Sequence, residues 1–232
     1  MNVVIRCGLR TFAPGIQRDF WVQTDESGTP LGWMMENGGR IWATLASCAP
    51  PHAAREMADF LCAKGFDVLE ADQQVAQATG LTVSPLSVLC CRQSAAAPMP
   101  KGLTIAETSL TQLTDIVCKS GLLELSDRAS FYANRHLHWR RGTDRFFAAT
   151  YEGTAVCSGA LSYGGGLEES ITCIATLPQH RGKGYATALV RFLAAQSLAA
   201  GHQPVLACRK ELVPFYVEAG FFQQYSCGVV HK

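Results

Sequence analysis

A chain of 232 residues is long enough for one large domain or two small ones with a real hydrophobic core. Its 48% hydrophobic and 17% charged residues are those of an ordinary globular protein, and a net charge of +1 argues against a nucleic-acid footprint or a polybasic membrane surface. No apolar run approaches a membrane span and Met1 to Arg6 has no signal-peptide character, so the expectation is a cytoplasmic protein with no nucleic-acid or membrane partner.

In chain order, Ile41–Ser47 reads as a strand, Pro50-Pro51 as a break, and Ala53–Lys64 as a helix ended by Gly65. Asp67–Leu69 reads as strand, Asp72–Thr79 as helix, and Gly80-Leu81 as its exit. Residues 94–102 (SAAAPMPKG) have the small-residue and proline content of a linker. Beyond it, Leu103–Glu107 is a predicted strand, Ser109 opens a helix that Gly121 ends, and Asp127–Arg140 is a second helix with Phe131, Leu137 and Trp139 among its apolar positions. Three strands follow at Arg145–Tyr151, Ala155–Tyr163 and Ser170–Leu177, punctuated by Glu152-Gly153 and Gly164-Gly165-Gly166. Ala186, Leu189, Val190, Leu193 and Ser197 recur at helical spacing in Tyr185–Ala200, with Gly201 as the stop. Val205–Cys208 is a buried strand, Leu212–Ala219 a short helix, and Phe221–Val230 a last strand or pair.

The ten cysteines contain no C-x-x-C pair, and most lie in apolar runs such as Val88-Leu89-Cys90-Cys91. They read as buried free thiols behaving as small hydrophobes. His136 and His138 fall on a predicted helix, where positions two apart do not face each other. No metal site is expected.

The stretch Gln179-His180-Arg181-Gly182-Lys183-Gly184 lies between a strand and a helix. Two glycines bare the backbone there, and outward amides plus the positive end of the helix dipole favour a phosphate or pyrophosphate. Arg181 and Lys183 add positive charge. The nucleotide-triphosphate loop requires Gly-Lys-Ser/Thr, but Lys183 is followed by Gly184. The dinucleotide fingerprint requires a third glycine where Thr187 stands.

The pattern Q/R-x-x-G-x-G/A resembles the coenzyme A pyrophosphate loop of the GNAT N-acetyltransferase superfamily. Downstream, Pro214-Phe215-Tyr216-Val217-Glu218-Ala219-Gly220-Phe221 is similar to the F-Y-x-x-x-G-F helix near the end of that family. The predicted order βααβββαβαβ over residues 103–232 is the order of a GNAT domain. The resemblance implies an α/β (α+β) GNAT fold, a mixed central sheet flanked by helices, with a smaller GNAT-like half before it. In that half, the strand–Pro–helix–Gly–strand–helix–Gly order of residues 41–81 matches the order from Ser170 to Phe221. Pro50 to Arg55 stand where the glycine loop would be, and Val75-Ala76 where Phe215-Tyr216 stand. The expected division is thus a degenerate, inert half at 1–93 that flanks the acceptor groove, a linker at 94–102, and a catalytic domain at 103–232.

The resemblance implies an N-acetyltransferase that moves an acetyl group from acetyl-CoA to an amine, with no metal. Gln179, His180, Arg181, Gly182, Lys183, Gly184, Tyr185 and Ala186 would anchor the pyrophosphate. Cys173, Ile174 and Thr176 would bond the pantetheine arm through their backbone, with an amide of this strand stabilising the thioester carbonyl. Tyr216 would be the general acid for the departing thiolate, packed by Phe215. Glu168, rather than Glu169, is the closer match to a base carboxylate, and proton removal through water is the alternative. The acceptor would be a small-molecule or peptide amine, lined by the 127–141 helix, the 164–169 turn, Trp33 and Trp42. The protein would act as a monomer or homodimer. A non-catalytic acyl-CoA-binding or scaffold protein on the same fold is the other reading.

Overall fold

Proline and glycine placement explains where most elements begin and stop. The computed structural model describes residues 19–37, 39–93, 99–163 and 166–232. The leader reading at Met1–Arg6, residues 94–98 of the linker and two of the three glycines at 164–166 lie outside the described residues. By contact, the chain forms two units: residues up to Val88 with 207–211 and 224–232, and residues 89–206 with 212–223.

In the first unit, β1 (Asp19–Thr24), β2 (Pro30–Asn37) and β3 (Arg40–Leu45) form an antiparallel meander. Helix α1 (Pro51–Lys64) follows, then β4 (Val68–Asp72), α2 (Gln73–Ala78) and β5 (Val83–Cys90). The two prolines start α1 rather than break the chain. Pro50 caps it in extended geometry and Pro51 sits at its first position, where a missing N–H costs nothing. Ala53, Ala54, Met57, Ala58 and Leu61 turn one face inward. β4 pairs parallel with β3, Arg40 opposite Val68, and antiparallel with the end of β11 (Phe222–His231), Cys227 opposite Asp72. The core of this unit joins Met34, Ile41, Met57, Leu61, Leu69 and Val75 with Val230 from the chain's last strand. The sequence reading lacked β1, β2 and β5. Pro85 lies inside β5, which on sequence grounds argues against a strand.

In the second unit, β6 (Leu103–Glu107) leads to α3 (Leu110–Lys119), whose first turn is capped by Ser109 Oγ accepting from Gln112 N at 3.1 Å. α4 (Arg128–Arg140) follows, then β7 (Asp144–Tyr151), β8 (Thr154–Tyr163) and β9 (Glu168–Thr176). α5 (Tyr185–Ala199), β10 (Gln203–Arg209) and α6 (Val213–Glu218) lead into β11. β6, β7, β8 and β9 pair antiparallel in that order, and β9 pairs parallel with β10. Leu110, Leu113, Ile116 and Val117 of α3 pack on Phe146, Ala160 and Ala175. On α5, Tyr185, Leu189, Val190, Leu193, Ala194 and Ser197 are buried, and Ala186 is only half-buried. α5 comes so close to β8 that a Cβ at Gly159 would lie 2.7 Å from both Leu193 Cδ1 and Ile174 Cδ1.

The two stretches share one order. Three antiparallel strands, a 14-residue helix, a parallel strand, a six-residue helix and a strand run from β1 to β5. The same order, with helices of 15 and six residues, runs from β7 to β11. Each unit is a mixed sheet flanked by helices. No helix among the described residues is long and apolar enough to cross a membrane.

Candidate functional site

β9 delivers the chain to the glycine loop through an irregularity of its own. Its register against β8 shifts between Ser158 opposite Ala175 and Ala160 opposite Thr172, so Cys173 and Ile174 together face Gly159. This is a β-bulge, and Cys173 sits in it with φ at +57°, a region few side chains enter. Ser158 Oγ donates to Cys173 O at 3.3 Å from the neighbouring strand. Ile174 turns towards α5. Thr176 is half-buried, its Oγ1 donating to Cys157 Sγ at 3.2 Å. Burial pushes the Cys157 thiol up to about 11, so it stays protonated at neutral pH and is no nucleophile.

On its other side β9 parts from β10. The ladder holds Glu168 opposite Gln203, Glu169 opposite Pro204 and Ser170 opposite Val205, and ends there although β9 runs on to Thr176. From Ile171 onward that backbone edge has no ladder partner among the described residues. An extended ligand can add to such an edge as a strand would.

Beyond Leu177, Pro178–His180 form a single 3-10 turn, and Arg181 to Gly184 run exposed into α5. Gly182 and Gly184 have φ of +74° and +77°, and a Cβ on either would meet nothing within 4 Å. The space in front of both is open, α5 has no side-chain cap, and no acidic residue lies in its first turn. Its first amides are free to meet an anion. Arg181 is committed to the scaffold. Its Nε donates to Thr176 O at 3.2 Å and its Nη2 to Ser120 O at 2.6 Å, tying the loop to the end of α3. The His180 ring packs against Tyr185 at 6.4 Å with its Nδ1 buried and without a hydrogen-bond partner among the described residues, and Tyr185 is buried against Tyr151 at 5.3 Å. Gln179 and Lys183 are exposed, and Ala186 is half-buried in the first turn of α5.

Tyr216 lies on α6, 8% exposed, between Phe215 at 4.8 Å and Phe221 at 6.2 Å. α6 is fixed to α5 by Arg191 Nη2 donating to Glu218 O at 2.7 Å. Of the two glutamates opening β9, Glu168 is half-buried and Glu169 is 3% exposed with Arg145 at 3.8 Å. Glu169 Oε2 has no hydrogen-bond partner among the described residues. Trp33 and Trp42 are half-exposed on β2 and β3. His136 stacks on Tyr132 and lies tilted against Trp139 on α4, and Trp139 is 54% exposed. No group of three or more His, Cys, Asp or Glu among the described residues could hold a metal ion.

The sequence reading missed the polar cluster on the α3–α4 face of this sheet. Arg135 of α4 meets Asp144, Ser162 and Thr172, each on a different strand. No spacing signal announces a site assembled from four elements.

A glycine loop at a helix N-terminus, fed by a bulged strand that parts from its neighbour, lies here in a mixed α/β sheet flanked by helices. Residues 110–221 match the model of the acetyltransferase (GNAT) family, and the chain carries a GNAT acetyltransferase domain there. Members of that family transfer an acyl group from acyl-CoA. Among solved structures, a GCN5-related N-acetyltransferase from Kribbella flavida is similar with a TM-score of 0.64 at 13% identity, covering 99% of this chain and 95% of that one. A tandem GNAT protein from the clavulanic acid biosynthesis pathway has a TM-score of 0.64 at 14% identity, covering 100% of this chain and 88% of that one. A GCN5-related N-acetyltransferase from Sphaerobacter thermophilus has a TM-score of 0.66 at 10% identity, covering 94% and 82%. At such identities the likeness is one of fold. No curated protein matches the chain in sequence.

Proposed function

We propose that this protein is an N-acetyltransferase that moves an acetyl group from acetyl-CoA to an amine of a small-molecule or peptide acceptor. The observation that carries the proposal is the continuous path from the Cys173 bulge, along the open edge of β9, to the Gly182–Gly184 cradle. When bound, acetyl-CoA supplies the activated acetyl group as a thioester. The amides of residues 182–186 and the ammonium of Lys183 hold its pyrophosphate, with Gln179 at the rim. The edge of Cys173, Ile174 and Thr176 aligns its arm through backbone bonds, and an amide at the bulge polarises the carbonyl.

Tyr216 is the general acid that gives its phenolic proton to the departing sulfur. A phenol's ordinary pKa is near that of an alkyl thiol, which suits this transfer. Its buried setting between two phenylalanines, which keeps water from the phenol, supports the assignment. Glu168 at the start of β9 takes the ammonium proton of the acceptor, directly or through water. We assign residues 1–93 to a degenerate copy of the same unit, joined by 94–102 to the acetyltransferase part at 103–232. Pro50 and Pro51 occupy the place of the glycine cradle in that copy, and the buried Val75 and Ala76 the place of Phe215 and Tyr216.

The test is calorimetry with acetyl-CoA followed by CoA release across a panel of amines. One acetyl-CoA bound per chain and release with at least one amine is the expected result. Binding without release for any amine would make the protein a non-catalytic acyl-CoA carrier, and no binding would remove the site.

A further inference from the structure

The guanidinium of Arg135 clamps three strands. Its Nη1 donates to Asp144 Oδ2 on β7 at 2.8 Å and to Ser162 Oγ on β8 at 3.0 Å, while Nη2 donates to Thr172 Oγ1 on β9 at 2.9 Å. The side chain of Asp144 has no exposure and that of Arg135 only 18%. Asp144 Oδ1 is buried without a hydrogen-bond partner among the described residues. A buried ion pair left partly unsatisfied is a poor source of stability, because desolvation offsets its Coulomb attraction. Such a pair is better explained by what it positions.

What it positions is the bulge. Thr172, opposite Ala160, is the last residue of β9 in register before the shift. Having accepted from Arg135, its hydroxyl donates to Cys173 Sγ at 3.3 Å. Cys173 is thus fastened twice, through its sulfur by Thr172 and through its carbonyl by Ser158 Oγ at 3.3 Å. A non-glycine residue at φ +57° persists only where its surroundings impose that conformation. α4 buries no residue completely, so the Arg135 clamp is also a fixed link between that helix and the strand.

We propose that Arg135 is a positioning residue for acyl transfer. Acting through Thr172, it holds the Cys173 bulge in the geometry that receives the thioester carbonyl. This rests on the acetyl-CoA reading above. Cofactor affinity comes mainly from the cradle, so losing the clamp should lower turnover and leave binding nearly unchanged.

Thr172→Val removes the hydroxyl while keeping shape and the Arg135–Asp144 pair, and Thr172→Ser restores the hydroxyl. Arg135→Lys keeps the charge and cannot span three strands. On the amine found by the release panel, Thr172→Val should lower kcat about tenfold or more, as small misplacements at a reacting centre do. Its KM for acetyl-CoA should stay within about threefold, since most ground-state binding is made at the cradle, away from the bulge. Thr172→Ser should recover most of the rate, and Arg135→Lys should resemble Thr172→Val.

Labelling of Cys173 by iodoacetamide, mapped by mass spectrometry, reads the bulge without any acceptor. Its rate should change in Thr172→Val and return in Thr172→Ser. An unchanged kcat or unchanged labelling in Thr172→Val, or a serine variant no better than the valine, would overturn the proposal. Failure of the wild type to bind acetyl-CoA would overturn the function reading, and with it the role in transfer, while the labelling pattern still showed the clamp.

Discussion

At Gly184 the backbone has φ +77° and ψ +2°, which penalises any side chain, while the space in front of it is open. Asp would carry backbone strain at a left-handed position and place a negative charge where the proposed function puts the pyrophosphate. Gly184→Asp should weaken acetyl-CoA binding by about 100-fold or more, equivalent to ~3 kcal/mol, measured by calorimetry. Equal affinity in the two proteins would take the pyrophosphate away from this loop. Tyr216→Phe tests a different link, because the phenol is asked to act only in the transition state. General acids contribute about 100-fold or more, so kcat should fall by that order while acetyl-CoA affinity stays within about twofold. A Phe variant with the wild-type rate would pass the proton to water or another group. The glycine loop was readable from six consecutive residues because its chemistry is carried by backbone and glycines. The Arg135 cluster was not, since Arg135, Asp144, Ser162 and Thr172 meet only once four elements have packed.

Among the elements, α5 and α6 were legible to within a residue or two, α5 because burial repeats at helical spacing and both because a glycine follows them. β5 was hidden by Pro85, and the bulge in β9 by the lack of any glycine to mark it, Cys173 taking the positive φ instead. The contact of α5 with β8 depends on Gly159, where an added methyl would meet Leu193 and Ile174 at 2.7 Å. Both are ends of movable side chains, so Gly159→Ala should cost about 1–3 kcal/mol of stability by overpacking, read as a lowered melting temperature. A variant as stable as the wild type would mean that α5 yields freely. β8 also carries a pH-dependent element. Burial raises the Cys157 thiol from an ordinary 9.0 to about 11 in the folded protein, so the folded state keeps a proton the unfolded chain releases. The stabilisation is full below pH 9 and is lost as pH rises from there to about 11, amounting to ~3 kcal/mol. Stability should therefore fall less steeply between pH 9 and 11 in Cys157→Ala than in the wild type. Parallel denaturation curves would show that the thiol does not titrate in that window.

Across the whole molecule the same order of strands and helices runs from β1 to β5 and again from β7 to β11, and the two stretches differ at the residues before the long helix and on the short one. A single site per chain follows from the proposed function, and two equivalent sites in calorimetry would show that Pro50 to Arg55 also hold a cofactor. The linear boundary read from the linker does not describe how the chain closes its sheets. Cys227 to His231 pair with Asp72 to Val68, and Val230 lies in the core with Leu69 and Val75. A fragment of residues 103–232 would therefore carry β11 with the β4 side of its ladder exposed, an unpaired edge that includes Cys227, Val229 and Val230. It would also expose the apolar face of Val230, which is fully buried in the intact chain. The fragment should aggregate, seen as early-eluting material in size-exclusion chromatography, and acetyl-CoA turnover should be largely lost even though the glycine loop and Tyr216 are intact. Adding residues 1–93 in trans should recover soluble material, since they bring β4 back to β11. A monodisperse 103–232 fragment with the full-length rate would show instead that the last strand needs no partner from the first half of the chain.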